Sequence, residues 1–290
     1  MSNYYFYYII DTVLWCSIAT YFLINSINNN NFYYIIAVSF AEAKLGLIAH
    51  EACHHINSCP KILCYLYDCA MGSHLKWIQQ HNKYHHIYTN TDKDPDICLS
   101  PIFRIHPNHK LYKYHKYQYI YQYILFALVP ISLRINGVIY LHQNGTYLDI
   151  LIHYILATPA IYLYIINPIS KYGLYGLLFL LLSNAILGLI YGILFSISHV
   201  NELVEFDPTG THAEKQMKTT ADWGSGSYFW NYMTGGLNHQ VIHHLYPYMS
   251  SYEYPKIAIE MKNDLNYKNM GSLYGAILSN AKFMYNQGIN

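Results

Sequence analysis

The sequence predicts an all-α protein threaded through a membrane, and three observations predict it. Apolar residues make up 53% of the 290 and charged residues only 11%, less than half of the roughly 25% usual in soluble domains. Four apolar runs are each close to the ~20 residues that cross a bilayer's hydrocarbon core. The histidines gather in tight groups just outside those runs, where membrane meets water.

Taken in order, residues 4–24 form the first predicted span, and an Asn-rich turn over 25–31 leads to the second, 32–49. Residues 61–78 read as an amphipathic surface helix. Residues 119–135 are apolar enough to touch lipid, but Gln122, Pro130 and Arg134 oppose a full crossing, so an interfacial or re-entrant helix is expected. The third and fourth spans, 150–166 and 172–197, are joined by a short loop whose one basic residue is Lys171. The result is one domain over 1–290, with four transmembrane helices in two hairpins and a helical cap from 50–149 and 198–290. Of the 17 basic residues, all but Lys44 and Lys171 lie on the cap side, which makes that side cytosolic.

A net charge of +1 gives no argument for nucleic acid or an acidic partner. The 34 tyrosines reflect a compositional bias rather than a binding device. Cys16, Cys53, Cys59, Cys64, Cys69 and Cys98 contain no C-x-x-C pair and are read as reduced packing thiols. The first apolar run lacks a basic leader, so it is expected to stay as a span.

The histidine groups are His50-Glu51-Ala52-Cys53-His54-His55, His81-Asn82-Lys83-Tyr84-His85-His86, and Gln240-Val241-Ile242-His243-His244, with His199 alone after the fourth span. Imidazole is a strong ligand for iron, zinc and copper. At about 100° per residue, His50 and His54 share a helix face, as do His81 and His85, while His86 diverges by well over a right angle. Gln240, His243 and His244 fall on one stripe. Converging pairs plus a diverging member suit two metal ions better than one. The donors are nitrogen-rich, unlike the soluble carboxylate-bridged di-iron bundles. Buried core histidines and adventitious zinc binding are the blander readings, which the grouping opposes. His74, His106, His109, His115, His142, His153 and His212 have no clustered partner and are read as surface or interfacial residues.

Several strings, in order, resemble the membrane fatty acid desaturases, specifically the front-end acyl desaturases, over roughly residues 32–265. They are Trp77 with the second histidine box, Tyr88-Thr89-Asn90, Asp94-Pro95-Asp96, His199 with Glu202 and Glu205-Phe206, Thr219-Thr220-Ala221, and Gly235-Gly236-Leu237-Asn238-His239-Gln240 through Pro247. Gln240 heads the third box as in front-end enzymes, where methyl-end and acyl-CoA Δ9-type enzymes carry His. The resemblance implies two iron ions that activate O2 and remove two hydrogens from an acyl chain, the new double bond falling between an existing one and the carboxyl group. Its implied ligands are His50, His54, His81, His85, His86, His199, His243 and His244, with Gln240 binding directly or through water. Asp94, Asp96, Glu202 and Glu205 match acidic positions expected to hold imidazole N–H groups, with ordinary solvated acids as the alternative.

The first box opens His50-Glu51 rather than the usual His-Asp, His55 reads as a spare imidazole, and Ile242 stands where a polar residue is common. No His-Pro-Gly-Gly haem motif occurs, so the fused cytochrome b5 domain of many relatives is expected to be absent. A separate cytochrome b5 or ferredoxin is then the expected electron donor. Lys110, Lys113 and Lys116 are positioned to dock such a carrier or to meet anionic headgroups. Lys44 either snorkels outward or, with Glu42, lines a substrate entrance. Expected partners are a fatty acyl lipid or acyl-CoA, O2 and membrane lipid. The expected location is the endoplasmic reticulum membrane for a eukaryotic-type enzyme, or otherwise a plasma or internal membrane. The competing readings are a sphingolipid long-chain-base desaturase, a fatty acyl hydroxylase on the same scaffold and, remotely, a metal transporter. A transporter should place its ligands at mid-bilayer.

Overall fold

The computed structural model describes residues 4–29, 33–55, 60–97 and 99–289. Cys16, Cys64 and Cys69 are free thiols and Cys53 is buried, while Cys59, Cys98 and the end of the predicted Asn-rich turn lie outside the described residues. Among the described residues the regular structure is all helical, apart from one isolated bridge between Asp222 and Asn269. The helices run α1 (Tyr4–Asn29), α2 (Tyr34–His54), α3 (Lys61–Met71) and α4 (His74–Trp77), then a π-helical stretch (Ile78–His85) and α5 (His86–Tyr88). Next come α6 (Gln118–Phe126), α7 (Val129–Asn144), α8 (Tyr147–Ile161), α9 (Asn167–Tyr172) and α10 (Leu174–Ser196). The last five are α11 (His212–Thr219), α12 (Tyr228–Thr234), α13 (Gln240–Leu245), α14 (Tyr254–Met261) and α15 (Leu273–Ile289). They form two compact units, residues 1–78 with 126–191 and residues 79–125 with 192–290.

The first unit holds the membrane-type helices. Among the described residues three stretches are long and apolar enough to cross a bilayer, Tyr4–Ser26, Tyr147–Tyr172 and Leu174–Ser196. A fourth arises only if His115–Phe126 and Val129–Asn144, separated by a sharp bend, count as one broken span or re-entrant loop. The third predicted span is longer than expected. Pro159 interrupts the α8 ladder, the chain winds as a π-helix over Tyr162–Ile166, and α9 continues to Tyr172. The first span also overruns its prediction, so α1 reaches Asn29 and absorbs most of the expected turn.

The predicted second span is a helix, α2, but it is not among the three. Glu42, Lys44 and Glu51 interrupt its apolar character, and its buried residues include Val38, Ala41, Ala43, Lys44, Gly46 and Leu47. A helix enclosed by protein need not be apolar all round. Leu23 of α1, Ile35 and Val38 of α2 and Phe179 of α10 make one apolar cluster. The Ser39 hydroxyl meets that of Ser183 at 3.2 Å, and Tyr8 donates to the Glu51 carboxylate at 2.6 Å. The acid that replaces the usual Asp in the first box thus anchors α2 to α1.

At Gly46 a Cβ would collide with the Tyr191 hydroxyl, which is buried and lies 3.3 Å from the Glu42 and Ala43 carbonyls. Gly46→Ala is therefore expected to destabilise the protein by about 1–3 kcal/mol through overpacking. A lowered thermal midpoint in detergent, relieved by adding Tyr191→Phe, would show it.

Four histidines expected at the surface or the membrane interface are buried: His74, His106, His115 and His153. In the first unit, Asp68 on α3 accounts for two of them. It accepts from His74 Nδ1 at 2.9 Å and lies 3.4 Å from His153 Nδ1. A buried carboxylate needs such partners, and sequence spacing does not reveal residues 85 positions apart as neighbours.

In the second unit, Ile97, Phe103, Ile105, Val200, Phe283 and Met284 form the apolar core. α15 is tied across it by buried amides: Asn280 donates to the Val200 carbonyl and Gln118 to that of Met284, at 2.8 and 2.7 Å. Arg104 caps the end of α15 by donating to the Gln287 carbonyl at 2.6 Å. This packing fixes residue 200, and with it the turn that carries His199.

Candidate metal centre

The second histidine box does not sit on an ordinary α-helix. From Ile78 to His85 the backbone is π-helical, with i→i+5 hydrogen bonds and a wider turn. Residues five apart therefore face each other, and His81 Nε2 lies 3.2 Å from His86 Nε2. The divergence of His86 expected from 100° per residue is thus reversed. His85 keeps its ring stacked on that of His81, with centroids 5.1 Å apart.

The third box behaves as its spacing predicts. α13 presents Gln240, His243 and His244, all buried. Its first turn is held by Asp222, which accepts the Val241 N–H at 2.7 Å and the Tyr267 hydroxyl. Burial pushes the Asp222 carboxyl up to about 7, against the pull of those two donors. His199 follows α10 in a turn, where Asn90 pins its carbonyl at 2.9 Å.

These elements bring six imidazoles together. One nitrogen from each of His85, His199 and His244 lies within 4.8 Å of the others. The same holds for His86, His243 and His244, and for His81, His85 and a carboxylate oxygen of Asp96. His244 belongs to both all-histidine triads. Its ring stacks on His86 at 4.2 Å and meets the edges of His199 and His85 at 4.7 and 5.0 Å.

The outer nitrogens of His85, His244, His199 and His243 are taken. His85 Nδ1 donates to both oxygens of Asp94 at 3.0 Å, and Asp94 also accepts the N–H groups of Asn90 and Asp96. His244 Nδ1 meets the Gln216 amide oxygen at 2.8 Å. His199 Nδ1 faces the Thr219 carbonyl and His243 Nδ1 the Tyr254 hydroxyl, both at 3.4 Å. A proton fixed on Nδ1 leaves Nε2 as the lone-pair donor, which is how outer partners prepare histidines for metals. His244 Nε2 and Gln240 Oε1 are buried with no hydrogen-bond partner among the described residues. Such orphaned acceptors are costly without a cation to meet them, so the donor set fits a metal.

The charge states agree. Burial, then the neighbouring His85, pushes His199 down to about 3. Burial and the surrounding imidazoles hold His244 well below its ordinary value. Both rings are therefore neutral, the ligating form. Burial also lowers His85, but Asp94 and Asp96 outweigh it and lift the ring to about 9, so a metal must displace that proton.

Other predicted site residues fall as follows. His50 and His54 lie in the first unit, buried side by side on α2 with ring centroids 4.9 Å apart. His55 sits 3.8 Å from the Glu51 carboxylate. Asp96 accepts from Gln80 at 2.6 Å and stands 3.7 and 3.6 Å from His81 and His85 Nδ1. Glu202 and Glu205 are different: their half-exposed carboxylates lie about 4 Å from Lys282, and from Lys218 and Lys268. These two therefore take the solvated-acid alternative rather than holding ring N–H groups. Gln240 places its amide nitrogen 2.8 Å from His199 Nε2, at the lone pair a metal would use. His239 is occupied on both sides, accepting the Gly226 N–H and donating to Asn231, each at 2.9 Å, so it serves the fold.

Sequence reasoning gave no role to Gln216, Asn90 or Asp222. Asn90 adopts a left-handed backbone (φ +56°) and points its amide at the carbonyls of His199, Glu205 and Thr219. Polar residues inside the family strings were the available signal for Asn90.

The sequence matches the fatty acid desaturase family over residues 31–274. The chain belongs to that family. It is an oxidoreductase of fatty acyl chains. It is 31% identical to "Probable Delta(5) fatty acid desaturase C" of Dictyostelium discoideum, covering 96% of this chain and 69% of the relative. The same organism's Delta(5) fatty acid desaturase A is 28% identical, over 93% and 67%. The sn-1 linoleoyl-lipid 6-desaturase of Arthrospira platensis is 28% identical, over 88% and 77%.

Proposed function

We propose that this desaturase is a front-end acyl-lipid desaturase, inserting a double bond between an existing one and the carboxyl end of the acyl chain. Two iron ions are its cofactor. The observation that carries the metal centre is the pair of histidine triads that meet at His244, with the Nδ1 atoms of His85 and His244 held from outside. Relatives named for the Delta(5) position and for 6-desaturation of linoleoyl lipid, and Gln240 at the head of the third box, support the front-end assignment.

The proposed ligands are His81, His85, His86, His199, His243 and His244, with Gln240 as a weak or water-linked donor. The sequence motif adds His50 and His54. Bound there, the iron pair supplies O2 activation and the removal of hydrogen from unactivated methylenes. The chain's own groups hold the rings: Asp94 fixes His85, Asp96 stands beside His81, and the Thr219 carbonyl and Tyr254 hydroxyl face His199 and His243. Electrons come from a cytochrome b5 or a ferredoxin. Four spans in two hairpins, with the histidines on the cytosolic face of an endoplasmic reticulum or other internal membrane, complete the proposal.

Membranes containing the protein, supplied with isotopically labelled linoleoyl lipid, O2 and either reduced donor, test the chemistry. The expected product lacks two hydrogens and retains the label. A product with an added oxygen would make the chain a hydroxylase instead.

A further inference from the structure

Gln216 lies on α11, more than twenty residues from any histidine box, and is buried to 1% exposure. Its amide joins two boxes. Nε2 donates to the His86 carbonyl at 2.8 Å, and Oε1 lies 2.8 Å from His244 Nδ1 and 3.1 Å from the Thr89 hydroxyl.

The neighbours decide which end of the amide is which. The His86 carbonyl can only accept, so it must face the NH2 group, and the oxygen must then face His244. An amide oxygen can only accept, so His244 Nδ1 must carry the proton. The Thr89 hydroxyl, 3.4 Å from the same nitrogen, has a shorter acceptor in the His85 carbonyl at 2.6 Å. Its proton goes there, which leaves its oxygen free to accept. One carbonyl therefore sets the tautomer of the histidine shared by both triads.

We propose that Gln216 is a positioning residue of the metal centre: its amide oxygen locks His244 with the proton on Nδ1 and the Nε2 lone pair toward the metal, while its NH2 group braces the second box. The inference rests on the metal centre proposed above. The two ends of the amide have separable effects. Loss of the acceptor frees the His244 ring to adopt the wrong tautomer and lowers metal affinity. Loss of the donor weakens the strut to His86 and lowers stability without changing that tautomer.

Gln216→Leu removes both functions, and Gln216→Glu keeps an acceptor for His244 while losing the neutral donor. The purified, metal-free proteins in detergent are titrated with cobalt(II) as the sole probe, read by its visible absorption, and melted in parallel. Gln216→Leu is expected to bind cobalt about 10–100-fold more weakly than the natural chain, the usual effect of losing an outer partner. Gln216→Glu should recover most of that affinity, although both variants melt earlier. Natural affinity in Gln216→Leu would overturn the inference. So would a folded Gln216→Glu that binds as weakly as Gln216→Leu or, if Gln216→Leu does not fold, about 10-fold or more weakly than the natural chain. Failure of the natural chain itself to bind cobalt would instead overturn the underlying metal centre.

Discussion

His244→Ala is expected to abolish desaturation and to lower the metal content more than loss of His199 or His86. The reason is geometric. Among the described residues His244 is common to both all-histidine triads. With Nδ1 held by Gln216, its single Nε2 lone pair serves one ion, while its ring packs against His86, His199 and His85 and keeps them in place. His199 and His86 each belong to one triad, and His199→Ala or His86→Ala should lose less metal. Elemental analysis of the purified variants, normalised to protein, tests this grading. Equal loss from all three variants would argue against a central place for His244.

The second large effect is expected at Asp94. Its carboxylate is fully buried and accepts from the His85 ring and from the backbone N–H groups of Asn90 and Asp96. Asp94→Ala removes the group that orients His85, and should lower activity about 10–100-fold. The stranded N–H groups add a destabilisation of about 1–3 kcal/mol. Asp94→Asn restores one acceptor and should fall between. Glu202→Gln and Glu205→Gln are the contrast. Their carboxylates are half exposed and, among the described residues, lie about 4 Å from Lys282, Lys218 and Lys268, so each should stay within about 0.5 kcal/mol of the natural chain in stability and keep its activity. Rates in membranes and thermal midpoints in detergent measure both predictions.

The parts of this fold legible in sequence were those set by local rules. Apolar runs marked α1, α8 and α10 because a bilayer demands length and composition. The Gln240, His243 and His244 stripe was legible because α13 is an ordinary α-helix. The second box was misread at His86 because helix type was assumed: a π-helix brings residues 81 and 86 together where an α-helix would part them. The charged residues of α2 were harder to place because sequence cannot show which helix faces are wrapped by protein, where Glu51 meets the Tyr8 hydroxyl. Distant partnerships were also hidden. Asp68 gathers His74 and His153, and Gln216 holds a histidine 28 positions away, because burial and pairing over such separations are properties of the fold.

The most direct test of the central claim is the position of the new double bond. The protein is expressed in a yeast poor in desaturases, fed linoleic and α-linolenic acids, with cytochrome b5 or ferredoxin supplied, and the acyl chains are mapped by mass spectrometry beside His243→Ala. The account predicts a new double bond on the carboxyl side of the existing ones, absent from the variant. A double bond on the methyl side, or a product that persists in His243→Ala, would contradict it.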